Sequence, residues 1–174
     1  MNTIKISSLA FLFTILCLNH TQAQTKGTSQ INIGYGVYSH YEFAESFFND
    51  VESSGVLNMG IKYAIQDRFM LGGSLSYESM TGTEDFIFLE GEPGSADFTN
   101  ITIAVESDYR YISKDSFQMY SGLGLAYFTA DQYTTNFSFQ ISALGFRVGK
   151  NLAAYAELGF GYKGIVHFGA SYQF

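Results

Sequence analysis

Bulky apolar side chains recur at every second position in eight successive segments between Gln30 and Phe174, the period of extended strands with two unlike faces. In the first segment Ile31, Ile33, Tyr35 and Val37 share a face opposite Asn32, Gly34, Gly36 and Tyr38. In the second, Leu57, Met59, Ile61, Tyr63 and Ile65 oppose Asn58, Gly60, Lys62 and Ala64, and the third sets Phe69, Leu71, Gly73, Leu75 and Tyr77 against Met70, Gly72, Ser74, Ser76 and Glu78. The fourth sets Ile101, Ile103, Val105, Tyr109 and Tyr111 against Thr102, Ala104, Glu106, Asp108 and Arg110. The fifth sets Phe117, Met119, Leu123, Leu125 and Tyr127 against Gln118, Tyr120, Gly122, Gly124 and Ala126. In the sixth, Leu144, Phe146 and Val148 are out of phase with Phe137, Phe139 and Ile141. A one-residue slip turns every side chain to the other face, so a β-bulge is expected near Ser142 to Leu144. Residues 154–162 and 166–174 complete the set.

The connections alternate in length. Long ones are expected at 39–54 and 80–98 and a moderate one at 130–135, while 66–68, 113–116 and 149–151 are short turns and Tyr162-Lys163-Gly164 is a brief last link. Short turns on one side and longer loops on the other are the habit of bacterial membrane barrels, whose short turns are periplasmic. The fold expected is all-β: an eight-stranded antiparallel up-and-down transmembrane β-barrel.

Alternation alone also suits a water-soluble barrel with its apolar face turned inward. The residues opposite the apolar stripe decide between them. A water-facing sheet favours charged and β-branched residues, whereas here that face is rich in glycine, including Gly34, Gly36, Gly60, Gly72, Gly122, Gly124, Gly159, Gly161 and Gly169. Small residues suit a crowded lumen. The apolar face carries almost no charge, as contact with lipid requires. Aromatics gather near strand ends: Phe69, Tyr109, Tyr111, Phe117 and Tyr172 toward the short turns, and Tyr77, Phe98, Tyr127, Phe137 and Phe160 toward the long connections, as interfacial girdles do.

Residues 1–23 are expected to be a signal peptide. Lys5 precedes the apolar run Leu9–Leu18, and the small-residue exit Thr21-Gln22-Ala23 follows. That run is shorter than the roughly 20 residues of a membrane-spanning helix. Residues 24–174 then form one barrel domain with no thiol, because the only cysteine, Cys17, lies in the leader. Charged residues are 14% of the chain, against about 25% in ordinary domains. The net charge of −7 argues against nucleic acid as a partner.

The end of the chain carries a resemblance. His167, Gly169, Tyr172 and Phe174 match the C-terminal signal of outer-membrane barrels, and the plan of the whole chain resembles the small OmpA/OmpX-type barrels of the porin-like β-barrel domain family. The resemblance implies a bacterial outer-membrane location, contact with membrane lipids and lipopolysaccharide, and delivery by the barrel-assembly machinery, which reads that terminal segment. A monomer is expected.

Eight strands enclose an interior just wide enough for side chains to fill. Lys62, Glu78, Glu106, Asp108, Arg110, Arg147 and Glu157, with His167, are expected to project into it as a charge network that holds the strands together. Glu42, Glu45, Asp50 and Glu52, and then Glu84, Asp85, Glu90, Glu92 and Asp97, make the first two long connections acidic. A functional reading of these acidic connections is divalent-cation binding, although no EF-hand-like Asp-x-Asp spacing occurs. No catalytic, cofactor or metal residues are assigned. His167 and Ser171 share a face but lie roughly 13 Å apart along a strand, too far for a nucleophile to meet its base. His40 has Ser39 and Ser46 nearby in sequence. Gly34-Tyr35-Gly36 reads as lumen packing, not as a phosphate loop. A structural or surface-interaction role is expected, with a narrow conduit for small or apolar solutes and a lipid-modifying enzyme as the other readings.

Overall fold

A computed structural model describes residues 26–45, 51–83, 95–129 and 137–174. The expected leader, and with it Cys17 and His20, lies outside them, as do Ser46, Asp50, Glu84, Asp85, Glu90, Glu92, the 130–135 connection and the side chains of Glu45, Asp97 and Phe98.

The strands are β1 (Ser29–Val37), β2 (Val51–Gln66), β3 (Phe69–Thr83), β4 (Ser95–Lys114), β5 (Phe117–Thr129), β6 (Phe137–Gly149), β7 (Leu152–Gly161) and β8 (Val166–Gln173), with one short helix, α1 (His40–Glu45). Each strand pairs antiparallel with its neighbour in sequence, and β8 returns to β1, from Gln173 against Gln30 to Val166 against Val37. The sheet is a closed barrel. Closure leaves no unpaired edge, the condition for a sheet in a medium that cannot hydrate backbone groups.

The two faces divide as the alternation requires. Leu125 and Ile103 stand on the outer wall, 76% and 63% exposed, while Glu106, Asp108 and Arg110, farther along β4 from Ile103, are buried inside. Ile33, Met59, Ile61, Leu123 and Phe168 continue the apolar exterior. That is the inverse of a water-soluble barrel. Rings flank the wall as expected: Phe69 is paired with Tyr109 at the short-turn end, and Tyr127 meets Phe137 edge-on, 5.9 Å between centroids, at the other.

The expected bulge in β6 is present. Ser142 pairs with Gly159 and Leu144 with Leu158, which leaves one extra residue on β6. Further register shifts occur at Ser53/Val56, where Gly55 takes φ +71°, and at Arg110/Ile112.

Two expectations are corrected. The connections at 39–54 and 80–98 are shorter than predicted, because β2, β3 and β4 run to 16, 15 and 20 residues and pair as far as Val51 with Gly82 and Thr83 with Ser95. Around 9 to 11 residues suffice to span the membrane. Beyond it a ladder needs only backbone partners, so no apolar alternation marks it. The first connection also folds α1, whose Ser39 accepts a hydrogen bond from the Glu42 amide (3.1 Å) as its N-cap. Six residues are too few to show a helical apolar stripe.

Candidate functional site

The lumen holds the charge, and it holds it in three tiers. The middle tier is the largest. Lys62 on β2 reaches Asp108 (2.9 and 2.8 Å to its two oxygens) and Glu106 (2.8 Å) on β4. It does so across Gly72, which occupies the intervening place in register and offers no side chain to obstruct it. Lys163, in the turn between β7 and β8, meets Glu106 at 3.1 Å and Glu157 on β7 at 3.0 Å. Neutral donors complete the carboxylates. Ser74 and Tyr162 donate to Glu106 at 2.5 and 2.6 Å, Tyr120 and Ser142 donate to Glu157 at 2.9 and 3.2 Å, and His167 Nδ1 stands 3.5 Å from Glu157. The network touches every strand from β2 to β8. All five ionised side chains at its centre are buried, so each depends on the others for compensation.

At the short-turn end Arg110 donates to Gln118 and to Gln30 (2.6 Å) and lies over the Tyr120 ring, 5.5 Å from its centroid. Arg147 donates to Ser171 (2.8 Å) and to the Asn151 carbonyl (2.8 Å). At the long-connection end Glu78 accepts from Ser39 and Ser53, both at 2.8 Å. Glu78, Arg110 and Arg147 therefore stand apart from the central ion pairs.

Lys163, Tyr155 and Tyr162 escaped the sequence reading, which placed Tyr120 on the lumen face without assigning it to the network. The only hint was local: Lys163 lies between Gly161 and Gly164, and Gly164 takes φ +93°, which lets the turn fold inward. Gly36 on β1 gives it room, since a Cβ there would overlap the Lys163 carbonyl oxygen.

Above the middle tier Tyr41, Met80, Phe128 and Tyr162 form an apolar stopper with Ala104 and Ala126. His40 of α1 packs on Tyr41, 3.8 Å between ring centroids, near Phe139, with its Nε2 3.3 Å from Ser138 Oγ. Its partner is thus Ser138, not Ser39. His167 and Ser171 have separate partners, Glu157 and Tyr155 for the first and Arg147 for the second. Glu42 and Glu52 are the acidic-connection residues whose side chains are described, and among the described residues no group of three His, Cys, Asp or Glu is placed to hold a metal ion.

Burial pushes the His40 imidazole below its usual 6.5. A group held neutral by the fold contributes stability that is complete above 6.5 and is lost as pH falls below that value through the lower folded one. Acidification from about pH 7 to about pH 5 should therefore loosen α1. A spin label at Phe43 should gain mobility over that interval, and His40→Phe should abolish the change.

Comparison with known proteins agrees with this architecture. No curated protein sequence matches the chain. The fold is similar to that in the crystal structure of the outer membrane protein OprG from Pseudomonas aeruginosa, with a TM-score of 0.57 at 14% identity over 88% of this chain and 98% of that one. Residues 8–174 match the family model described as the outer membrane protein beta-barrel domain. With its apolar wall outward and its charges enclosed, the chain belongs to that family of barrels of the bacterial outer membrane.

Proposed function

We propose that this barrel is plugged by its own side chains and acts in a structural or surface-interaction role, presenting its acidic connections to extracellular partners or lipopolysaccharide. The reading rests on the middle tier, where Lys62 and Lys163 bridge Glu106, Asp108 and Glu157 across the lumen beneath the Tyr41 and Phe128 stopper. An ion crossing it would have to displace buried, mutually compensated charges, which is strongly unfavourable.

The terminal segment fits assembly as a second aspect of the same role. His167 and Gly169 face the lumen and Tyr172 and Phe174 the lipid, and the Phe174 backbone exchanges hydrogen bonds with Ser29 of β1 (2.8 and 3.0 Å). Until that seam closes, β8 is a free edge with a fixed side-chain pattern, the kind of strand that another protein can recognise by pairing.

Planar-bilayer recording tests the plug. The unmodified protein should be electrically silent, and Lys163→Ala combined with Glu106→Ala should admit ions. Steady single-channel steps from the unmodified protein would overturn the proposal.

A further inference from the structure

We propose that α1 is a hinged lid on the outer mouth of the barrel, which turns about Tyr38 and lifts in the native protein to let water into a polar vestibule above the middle tier.

The backbone marks the hinge. β1 ends at Val37, and the next residue, Tyr38, has φ +57°; among the described residues no other apart from glycine has a positive φ. That conformation is costly for a bulky residue and persists only where the surroundings impose it. Two restraints do so here. The Ile165 amide donates to the carbonyls of both Val37 and Tyr38, at 2.9 and 3.1 Å, and holds the end of β1. Ser39, fully buried, donates to Glu78 at 2.8 Å and latches the start of α1 to β3. The Tyr38 ring is mostly exposed, so its own packing adds little.

The seat of the lid is mixed. Tyr41 enters the mouth, where its ring meets Phe128 edge-on at 4.8 Å, and this burial keeps the lid down. At the level of the latch, however, hydrogen bonding is incomplete. Glu78 Oε2 and both amide atoms of Asn100, the direct partner of Glu78 across β3 and β4, are buried with no protein partner among the described residues. Buried polar groups left unpaired oppose the seated state, and water entering as α1 lifts would satisfy them. Polar side chains also border the place that Tyr41 fills: Thr102 is paired with Phe128, and Ser138 is 3.3 Å from the adjoining His40. A space bordered in this way hydrates instead of standing empty. Below it Lys62 and Lys163 keep their carboxylates, so the lid uncovers a blind vestibule and not a pore. That last point rests on the plugged lumen proposed above, whereas the motion of α1 does not.

Thiol labelling tests the lid, with the only cysteine removed as Cys17→Ser. Thr102→Cys, at a position 2% exposed, places a thiol beneath α1, and Ser171→Cys, at another 2% exposed, places one toward the short-turn end. In protein folded in a non-ionic detergent, a small charged methanethiosulfonate should modify Thr102→Cys. Ser39→Ala removes the latch and the N-cap together and should accelerate that reaction at least about fivefold. The rate at Ser171→Cys should not respond to Ser39→Ala. A Thr102→Cys thiol that stays unmodified until urea unfolds the barrel, or a rate that Ser39→Ala leaves unchanged, overturns the proposal. Equal acceleration at Ser171→Cys overturns it as well, since the whole barrel would then be breathing. Should Thr102→Cys not fold, Ser138→Cys takes its place with the same expected results. Bilayer current reads the plug separately, so conductance from the unmodified protein would remove the plug and leave the lid standing.

Discussion

Lys163→Ala should lower the unfolding free energy of the barrel by about 3 to 5 kcal/mol, the usual consequence of removing one partner from a buried ion pair. Its ammonium is shared by Glu106 and Glu157. Without it Glu106 keeps Lys62, Ser74 and Tyr162, but Glu157 keeps only Tyr120, Ser142 and the neighbouring His167. The loss should therefore concentrate on Glu157. Lys163→Ala combined with Glu157→Gln should recover part of the stability, because the orphaned charge leaves with its partner. Urea titration in lipid vesicles, read by the mobility of folded and unfolded bands, measures both. Lys26→Ala, at an exposed lysine whose contact to Asp67 is made by its backbone, serves as the reference and should leave the midpoint unchanged. A Lys163 variant as stable as that reference would mean that the turn does not dock in the lumen.

The same lysine marks the boundary of what could be read beforehand. Strand phase was legible because the environments of the two faces differ so sharply: Leu123 and Leu125 meet lipid while Gly122 and Gly124 face the interior. Even the β6 bulge was legible, since an extra residue reverses the phase and leaves a mark in the pattern. Turns have no period. Lys163 carries no sign in sequence of whether it points to water or back into the barrel, and that choice depends on Gly36 from the far end of the chain.

Depth was illegible for a related reason. Alternation assigns Lys62, Glu78, Glu106 and Arg147 to one face, yet says nothing about their height along the barrel axis. Height comes from register between strands, and register sets Lys62 level with Gly72 and Glu106 while leaving Glu78 opposite Asn100 and Arg147 opposite Gln118. A list of lumen charges with both signs thus concealed a separation, with Glu78 alone at one end and two arginines at the other. The lengths of β2, β3 and β4 were hidden likewise, since outside the hydrocarbon only backbone pairing marks a strand.

Gly36→Ala should produce the second large effect, although it adds a single methyl group. The side-chain position at Gly36 points into the lumen, where a Cβ would overlap the carbonyl oxygen of Lys163. That oxygen belongs to backbone, and the turn around it is fastened on both sides. Gln140 accepts from the Lys163 amide (2.8 Å), and the Ile165 amide donates to Val37 (2.9 Å). The turn can make room only by lifting away from β1, and lifting it withdraws the Lys163 ammonium from Glu106 and Glu157. Overpacking and loss of the ion pairs then act together, so a destabilisation of at least about 3 kcal/mol is expected. Gly73→Ala provides the contrast. Gly73 is on the outer wall, and the nearest atom to an added Cβ is the Ala104 carbonyl oxygen at 3.3 Å. There the same substitution should change stability by less than about 1 kcal/mol, slight crowding against that oxygen offsetting the reduced freedom of the unfolded chain. If the two variants unfold at the same urea concentration, the β7–β8 turn is not seated against Gly36, and the plug it anchors has no support.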